Sequence, residues 1–421
     1  MYFSRHGVRS PTGAAAQYNR YSAGVWPEWD VPPGYLTPHG YHLMELFGSY
    51  DRDKLAQQGL LSTEGCADTG KVTIDADSDQ RTRESGSALA KGLFPGCQLP
   101  VTALPEGTPN PLFHASVAST IPLSGAQAVA AIAGRIGNNP NNLTEAYRPQ
   151  LASLDHLLAT CGRAPAGESQ RTSLLDIPAT LSVGHNDHAV ELQGPLNTAA
   201  TLTENILLEY TEGMDPAKVG WGCVDGATVR SLIALHAAAS DFARRTPEVA
   251  SLQAAGLLEH IREAIEQAVT HHAIVGAPSR VTDLALFMIG HDTNIENMAG
   301  MLNLNWIVDG RRDDTPPGCV VVFELWKVRA TGAYEVRLYF TTQTVEQMRF
   351  AKQLSLEVPP DRVPIFVPGC SRADFSCSWE SFSRLTRQPA GVATAAPRHI
   401  TPEMPMPNHR SERPGSDRYP N

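Results

Sequence analysis

Residues 4–12 have the sequence SRHGVRSPT and follow three apolar residues directly. The apolar residues predict a buried strand, and Gly7 predicts a turn at its carboxyl end with a close approach of the backbone. His6 stands between Arg5 and Arg9, whose guanidinium groups stay charged at any accessible pH and match a pair of phosphate oxygens. Their fields disfavour the imidazolium form, so we expect His6 to remain a neutral nucleophile in acid. The segment predicts a phosphate pocket with a nucleophile in its floor.

A second polar cluster, GHDTN, occupies residues 290–294, after a predicted buried strand at 284–289 and before a predicted helix at 295–302. Two interpretations are open. In the first, the short polar side chains cap the helix, and His291 is a loop residue with no functional role. Alternatively, His291 donates a hydrogen bond to a phosphate oxygen, and Asp292 is the general acid that protonates the leaving oxygen.

A third cluster follows Val72–Ala76, which we expect to be a strand. Residues 77–83 lead from it into a predicted helix that ends near Phe94, and they include Arg81. All three clusters therefore come just after the carboxyl end of an apolar strand. In open α/β sheets that edge binds ligands, so we expect the three clusters to share one site.

The first two motifs together resemble the histidine acid phosphatase family, and within it the bacterial periplasmic phytases. The resemblance extends from residue 1 to about residue 382. Further matches are Trp29 and residues 36–40, 79–83, 245–250, 304–306, 314–318 and 347–349.

The resemblance implies a role for each matching residue. His6 is the expected nucleophile, which forms a phosphohistidine, and Asp292 is the expected proton donor. The expected phosphate ligands are Arg5, Arg9, Arg81, His291 and Thr12. Because fixed cations stabilise the charge of a phosphoryl-transfer transition state, three arginines are expected to suffice, with no metal and no other cofactor.

The same resemblance implies an α/β fold, a phosphoglycerate-mutase-like, mainly parallel sheet flanked by helices, with a smaller all-α domain inserted. A chain of 421 residues also exceeds one ordinary core. We expect residues 1–114 and 245–387 to form the catalytic domain, and residues 115–244 to form the helical insertion, with helices at 197–212 and 228–244. The tail at 388–421 is rich in Pro, Arg, Ser and Ala, so we expect it to be disordered.

The net charge of −10 argues against a nucleic acid or an anionic membrane as partner. It does not exclude an anionic substrate, because local cations in a cleft outweigh a screened surface charge. The sequence contains no run of 18 uncharged apolar residues, so it does not predict a membrane-spanning helix. The expected partner is a small phosphate ester, bound by a monomer.

The chain has seven cysteines, an odd number. The resemblance implies two disulfides, Cys66–Cys97 and Cys370–Cys377. Arg171 stands where the family pattern places the partner of Cys161, and Cys223 and Cys319 have no counterpart. The plain interpretation makes these three cysteines buried, small apolar residues. Two disulfides favour an oxidising compartment, so we expect a periplasmic or secreted protein.

Two further expectations concern the start of the chain and its other histidines. The first strand has only three residues before Ser4, so we expect a signal peptide and additional strand residues upstream. His185 and His188, like His271 and His272, have ligand-like spacing but no third ligand at a recognisable interval. We expect them to be surface residues rather than metal ligands.

Substrate choice depends on the outer pocket. Bacterial phytases usually carry lysine where this chain has Gly13 and arginine where it has Gln253, and both differences remove positive charge. The pair Gly7-Val8 and Thr293 nevertheless favour phytases over glucose-1-phosphatases. We expect phytate to be the substrate, with glucose 1-phosphate or a broad range of esters as the alternative. A catalytically silent phosphate-binding protein is a third hypothesis, against which the intact His6 and Asp292 count.

Overall fold

The computed structural model describes residues 1–114, 124–162, 171–185 and 188–387. The tail expected to be disordered, 388–421, lies outside the described residues. The described strands are β1 Tyr2–Arg5, β2 Val72–Ala76, β3 Val101–Thr102, β4 Thr180–Val183, β5 Val190–Gln193, β6 Ala285–Gly290, β7 Ile307–Val308, β8 Arg311–Arg312, β9 Val320–Lys327, β10 Tyr334–Thr342, β11 Asp361–Ile365 and β12 Cys377–Ser378. The described α-helices are α1 Ala15–Tyr18, α2 Pro38–Gln57, α3 Gln80–Leu93, α4 Gly125–Arg135, α5 Asn141–Ala146, α6 Arg148–Thr160, α7 Pro195–Thr211, α8 Gly226–Leu232, α9 Ala234–Ala243, α10 Pro247–Thr270, α11 Asp292–Leu302, α12 Val345–Arg349 and α13 Trp379–Thr386.

A mixed sheet of eight strands organises the fold. Seven strands run in the order β11-β10-β9-β1-β6-β2-β3, and β12 pairs with β10. The pairs β1–β6, β6–β2 and β2–β3 are parallel, whereas β9, β10, β11 and β12 form antiparallel pairs on the other side of β1. The predicted α/β class is confirmed, and three of the four parallel strands, β1, β6 and β2, carry the three polar clusters.

Helices cover both faces of this sheet. Side chains alternate between the faces along each strand, so Tyr2 and Phe287 belong to one apolar cluster while Phe3 and Met288 belong to another. The first cluster lies under α2 and α3, and the second lies under α10, α11 and α13. Burial on both faces explains why β6 reads as a continuous apolar run rather than as an alternating one.

The middle of the chain, which contains α4 to α9, has an apolar cluster of its own. The helical run expected at 197–212 is present as α7, and the run expected at 228–244 is helical too but consists of two helices, α8 and α9, which divide at Ile233. An antiparallel hairpin of β4 and β5 was also not expected in an all-helical insertion. Tyr21 and Trp26, from before the expected boundary, pack into the same cluster. The domain limits 1–114, 115–244 and 245–387 stay predictions.

Three disulfides are present among the described residues. Cys66–Cys97 and Cys370–Cys377 are paired as the resemblance implied. Cys161 is bonded to Cys223, so the interpretation of both as unpaired buried residues is wrong, and it holds only for the buried Cys319.

Arg171, which replaces a cysteine of the family pattern, makes a two-pronged ion pair with Asp155 of α6 at 2.8 and 2.9 Å. An ion pair therefore fastens this segment to α6, and Cys161 is available for a different partner.

Candidate active site

The three polar clusters meet at one edge of the sheet. Arg5 at the end of β1 lies beside Gly290 at the end of β6, and β2 ends beside β6 on the other side. Backbone hydrogen bonds extend past the strand ends, from the His6 N–H to the Gly290 oxygen at 3.0 Å and from the Asp77 N–H to the Ile289 oxygen at 3.0 Å. The sequence predicted this convergence from the positions of the strands.

Two glycines let α2 pack tightly against the first motif. A Cβ at Gly40 would overlap the Val8 carbonyl oxygen, and a Cβ at Gly7 would stand 2.9 Å from the Gly40 oxygen. The Thr37 hydroxyl accepts the Gly40 N–H at 2.9 Å and so caps α2 at this point. The loop that carries His6 is therefore held rigidly by backbone contacts.

His6 is buried, with 1% of its surface exposed. Its Nδ1 lies 2.8 Å from the Gly7 carbonyl oxygen, which can only accept, so Nδ1 carries the proton and Nε2 keeps a lone pair. Burial, followed by the charges of Arg81, Arg5 and Arg9, lowers the pKa of His6 well below its ordinary value. The side chain is a neutral imidazole with one nitrogen available to attack.

The arginines around His6 share carboxylate partners. Arg5 donates to Glu204 and lies 3.0 Å from Asp292, and Arg9 donates to the same Glu204 oxygen at 3.1 Å. Burial alone would raise the pKa of Glu204, but Arg9 and Arg5 outweigh it and lower that pKa. The Nε atoms of the three arginines of the motifs are buried without a hydrogen-bond partner in the described structure. Unsatisfied buried donors are rare, and a cluster of them is typical of an anion site.

Asp292 serves both interpretations of the second motif. Its Oδ1 accepts the Thr293 N–H at 2.7 Å in the first turn of α11, while its Oδ2 faces Arg5. Asn294 accepts the His291 N–H at 3.0 Å and takes the capping role. Burial raises the pKa of Asp292, but the Arg5 charge and those of its neighbours outweigh burial, and the pKa lies well below its usual range.

Two histidines share one buried carboxylate behind the pocket. The Asp77 Oδ2 lies 2.6 Å from the His291 Nε2 and 2.8 Å from the His114 Nε2. Burial raises the pKa of Asp77, but these two hydrogen bonds outweigh burial and lower it. Asp77 thereby orients the His291 ring so that its Nδ1 faces Arg81, 3.4 Å away.

We expect Asp77→Asn to lower kcat about 10- to 100-fold, the usual loss when a buried partner that orients a working side chain is changed. The amide keeps the shape of the carboxylate but loses the negative charge that both histidine rings share, so it holds the His291 ring less firmly. Asp75→Asn, two residues earlier in β2, is the matched control, because burial raises the pKa of Asp75 to about 7 and little charge is lost there in acid. Steady-state rates of both variants on p-nitrophenyl phosphate test this, and equal losses would contradict the role given to Asp77.

Arg81 and Thr12 lie towards the rim of the site. Arg81 pairs with Asp79 at 2.5 Å and approaches the Gly34 carbonyl oxygen at 3.5 Å. A Cβ at Gly34 would stand 3.6 Å from the Arg81 guanidinium and 3.8 Å from the Thr12 methyl group, so both side chains lie next to Gly34. Thr12 is exposed. Its role as a phosphate ligand stays a prediction.

Sequence reasoning missed Glu204, Asp77, His114 and His236. Asp77 stood within the third cluster and was passed over in favour of Arg81. Glu204 lies in a helix whose other residues are mainly apolar, which is a usable signal, but the same helix holds the buried Glu209. Burial raises the pKa of Glu209 to about 8. Only the fold distinguishes the glutamate that faces arginines from the one that does not.

Among the described residues, two groups of side chains have ligand atoms close enough together to hold a metal ion. These groups are Asp77, His114 and His291, and Glu204, His236 and Asp292. In the first group both Nε2 atoms are hydrogen-bonded to the carboxylate, and in the second the Arg5 charge already faces Asp292. Neither group includes the histidines with ligand-like spacing, of which His185 is exposed and faces Glu191 at 3.1 Å. Catalysis without metal stays a prediction.

The comparisons with known proteins agree with this geometry. The family described as histidine phosphatase superfamily, branch 2, matches residues 2–341. Phytase AppA of Escherichia coli (strain K12) is 34% identical over 396 residues, which cover 91% of this chain and 90% of the relative. A glucose-1-phosphatase of Salmonella typhimurium is 28% identical over the same shares of the two chains.

Solved structures give the same result. A Hafnia alvei phytase in complex with tartrate superposes with a TM-score of 0.82 at 34% identity, covering 91% of this chain and 95% of the other. The phytase from Citrobacter braakii has a TM-score of 0.80 at 35% identity, covering 91% and 96%. The family match over most of the chain, together with these relatives, shows that the protein belongs to the histidine phosphatase superfamily, branch 2.

Proposed function

We propose that the protein is an acid phosphomonoester hydrolase that acts through a phosphohistidine and takes phytate as its main substrate. One observation carries the proposal. A buried, neutral His6 with its Nε2 free lies among three arginines, and a carboxylic side chain, Asp292, lies 3.0 Å from one of them. A nucleophile, an anion pocket and a proton donor are the parts that such a reaction needs.

The reaction has two displacement steps. The Nε2 lone pair of His6 attacks phosphorus, the ester P–O bond breaks, and the proton of Asp292 passes to the leaving oxygen. Water then attacks the phosphohistidine while the Asp292 carboxylate accepts its proton, which releases phosphate and restores His6. Arg5, Arg9 and Arg81 hold the equatorial oxygens, where charge accumulates.

Substrate binding allows Asp292 to take up the proton that the leaving oxygen needs in the first step. In the empty site the guanidinium charges keep Asp292 ionised. An incoming phosphate neutralises the same guanidinium groups, so the pKa of Asp292 rises and the carboxylate becomes able to carry a proton. Acid conditions favour this uptake, which is consistent with an acid phosphatase.

Phytate is proposed because relatives named phytases share 33–35% identity and closely similar folds. The outer pocket differs at Gly13, where a Cβ would overlap the Tyr18 hydroxyl. That hydroxyl accepts the Gly13 N–H at 3.0 Å. A lysine at this position would need Tyr18 to move, so Gly13→Lys alone is a poor test of specificity.

We expect phosphate release at acid pH with kcat/KM at least about tenfold higher for phytate than for glucose 1-phosphate. We also expect EDTA to leave the rates unchanged, since no step requires a metal. The measurement is colorimetric phosphate release from phytate, glucose 1-phosphate and p-nitrophenyl phosphate, with a His6→Ala preparation as control for contaminating phosphatases. Faster release from glucose 1-phosphate would favour the alternative, and no release from any ester would favour a silent binding protein.

We further propose an oxidising, periplasmic or secreted location. Three disulfides support it, since such bonds persist in those compartments. Among the described residues, no helix has the length and apolar character that crossing a membrane requires. A monomeric state stays a prediction.

A further inference from the structure

A cavity of about 300 Å³ extends from the reacting groups towards the helical part of the chain. Arg9 and Asp292 lie at its inner end, and α7, α9 and β5 line its outer walls. Neither Gly13 nor Gln253, the positions where positive charge was expected, is among the lining residues. Any positive charge in the outer part of the cavity must therefore come from side chains other than those at positions 13 and 253.

Helix α9, together with Arg244 directly after its last residue, presents a stripe of polar side chains to this cavity. His236, Ser240 and Arg244 all line it, and they recur every four residues, with Ala239 and Ala243 between them. Residues at this spacing share one helical face, and the Arg244 N–H continues the helical pattern by donating to the Ser240 oxygen at 2.8 Å. At 1.5 Å per residue the stripe spans about 12 Å. The small alanines leave room for a ligand beside the polar groups.

Arg244 is half-buried and pairs with no carboxylate of the described chain. Its neighbour Arg245 shows the contrast, because it is buried and faces Asp313 at 3.4 Å and the Asn305 oxygen at 3.2 Å. One arginine therefore stabilises the fold, whereas the other directs an uncompensated charge into the cavity.

The acidic side chains of the cavity are already engaged. Glu204 and Asp292 face Arg5, Glu296 accepts the Thr315 hydroxyl at 3.2 Å, and Glu191 faces His185. At the other end of the stripe, the buried Nδ1 of His236 has no partner in the described structure. The wall thus offers a free cation and an unsatisfied ring nitrogen, which suits an anion with several acceptor oxygens.

We propose that Arg244 binds a phosphate group of the substrate other than the one that reacts at His6. The proposal rests on the proposed function and narrows it to esters that carry more than one phosphate. Arg244 then supplies the charge that Gly13 and Gln253 lack. A monophosphate bound at His6 has no second phosphate group for this guanidinium to hold.

The test compares Arg244→Gln with Arg329→Gln, an exposed arginine outside the cavity. We expect Arg244→Gln to lower kcat/KM for phytate about ten times more than for p-nitrophenyl phosphate, mainly through KM, as for a lost charged hydrogen bond. Added salt should shrink this ratio, because the charge is half exposed and is screened. Arg244→Lys should retain most of the discrimination, and Arg329→Gln should match the parent enzyme.

Inhibition of p-nitrophenyl phosphate hydrolysis by myo-inositol hexakissulfate separates this proposal from the proposed substrate. If the parent enzyme hydrolyses phytate poorly, phytate fails as the substrate, yet weaker inhibition of Arg244→Gln by the hexasulfate still supports the anion subsite. Equal losses on both substrates with unchanged inhibition would overturn the role of Arg244. A misfolded Arg244→Gln would lose activity on phytate and on p-nitrophenyl phosphate together and would be identified by that loss. Arg244→Lys then decides whether the charge at position 244 binds a second phosphate group.

Discussion

His6→Ala is expected to lower kcat more than about 10⁴-fold on every ester, because no other side chain replaces the attacking nitrogen. Phosphate binding should largely survive, since the arginines of the pocket do not depend on the imidazole for their partners. The measurements are steady-state rates on p-nitrophenyl phosphate and calorimetric titration with inorganic phosphate. His42→Ala, an exposed histidine of α2, is the control.

The site of phosphorylation follows from the same geometry. Because Nδ1 donates to the Gly7 oxygen, the phosphoryl group should be trapped on Nε2. A rapid quench in base with labelled substrate, followed by peptide mapping and ³¹P NMR, distinguishes the two nitrogens. Label on another residue, or substantial turnover by His6→Ala, would rule out the covalent mechanism.

The lowered pKa of His6 also has a consequence for acid activity. An ordinary histidine with a pKa near 6.5 would be about 97% protonated at pH 5, and the nucleophile would be lost about 30-fold. With its pKa well below that value, His6 stays neutral and kcat/KM should not show this fall. An acid limb with a midpoint near 6.5 on p-nitrophenyl phosphate would contradict the assignment.

Asp292→Asn is expected to slow the hydrolysis of alkyl phosphates about 10²- to 10⁴-fold, because their leaving oxygen needs a proton. The loss should be much smaller for p-nitrophenyl phosphate, whose leaving group departs as an anion. At the same time phosphate should bind more tightly, since the variant removes a negative charge 3.0 Å from Arg5. Rates on both ester types and a phosphate titration measure these effects.

The combination of slower turnover and tighter phosphate binding distinguishes a lost acid from a damaged pocket. Asp53→Asn, an exposed change on α2, controls for the general effect of removing a carboxylate. Equal losses on both ester types, with weaker phosphate binding, would mean that Asp292 only positions Arg5 or caps α11.

The parts of the site that could be predicted are those whose residues adjoin strand ends. His6, Arg81 and Asp292 each follow an apolar run closely, and parallel strands bring such positions to one edge. Glu204 and His236 come from helices, where neither periodicity nor motif distinguishes a residue that faces the cavity from one that faces the core.

Features that depend on contacts between distant parts of the chain could not be predicted either. Cys161 and Cys223 are 62 residues apart, and their sequence neighbourhoods give no sign of each other. The break between α8 and α9 at Ile233 escaped as well, because an apolar stretch with no glycine or proline reads as one helix. Both the disulfide and the helix break depend on tertiary packing, which cannot be read from the local sequence.

The position of β1 has a consequence for how the molecule is made. β1 is an interior strand whose two neighbours, β6 and β9, both lie beyond residue 284. At about 5–20 residues per second of synthesis, β1 waits roughly 15–60 s before residue 290 exists to pair with it. Pairings of such long range make folding slow and leave an unprotected strand edge in the meantime. His6, the proposed nucleophile, is therefore the first part of the site to be synthesised and among the last to be assembled, and we expect a nascent chain that ends before β6 to have no phosphatase activity.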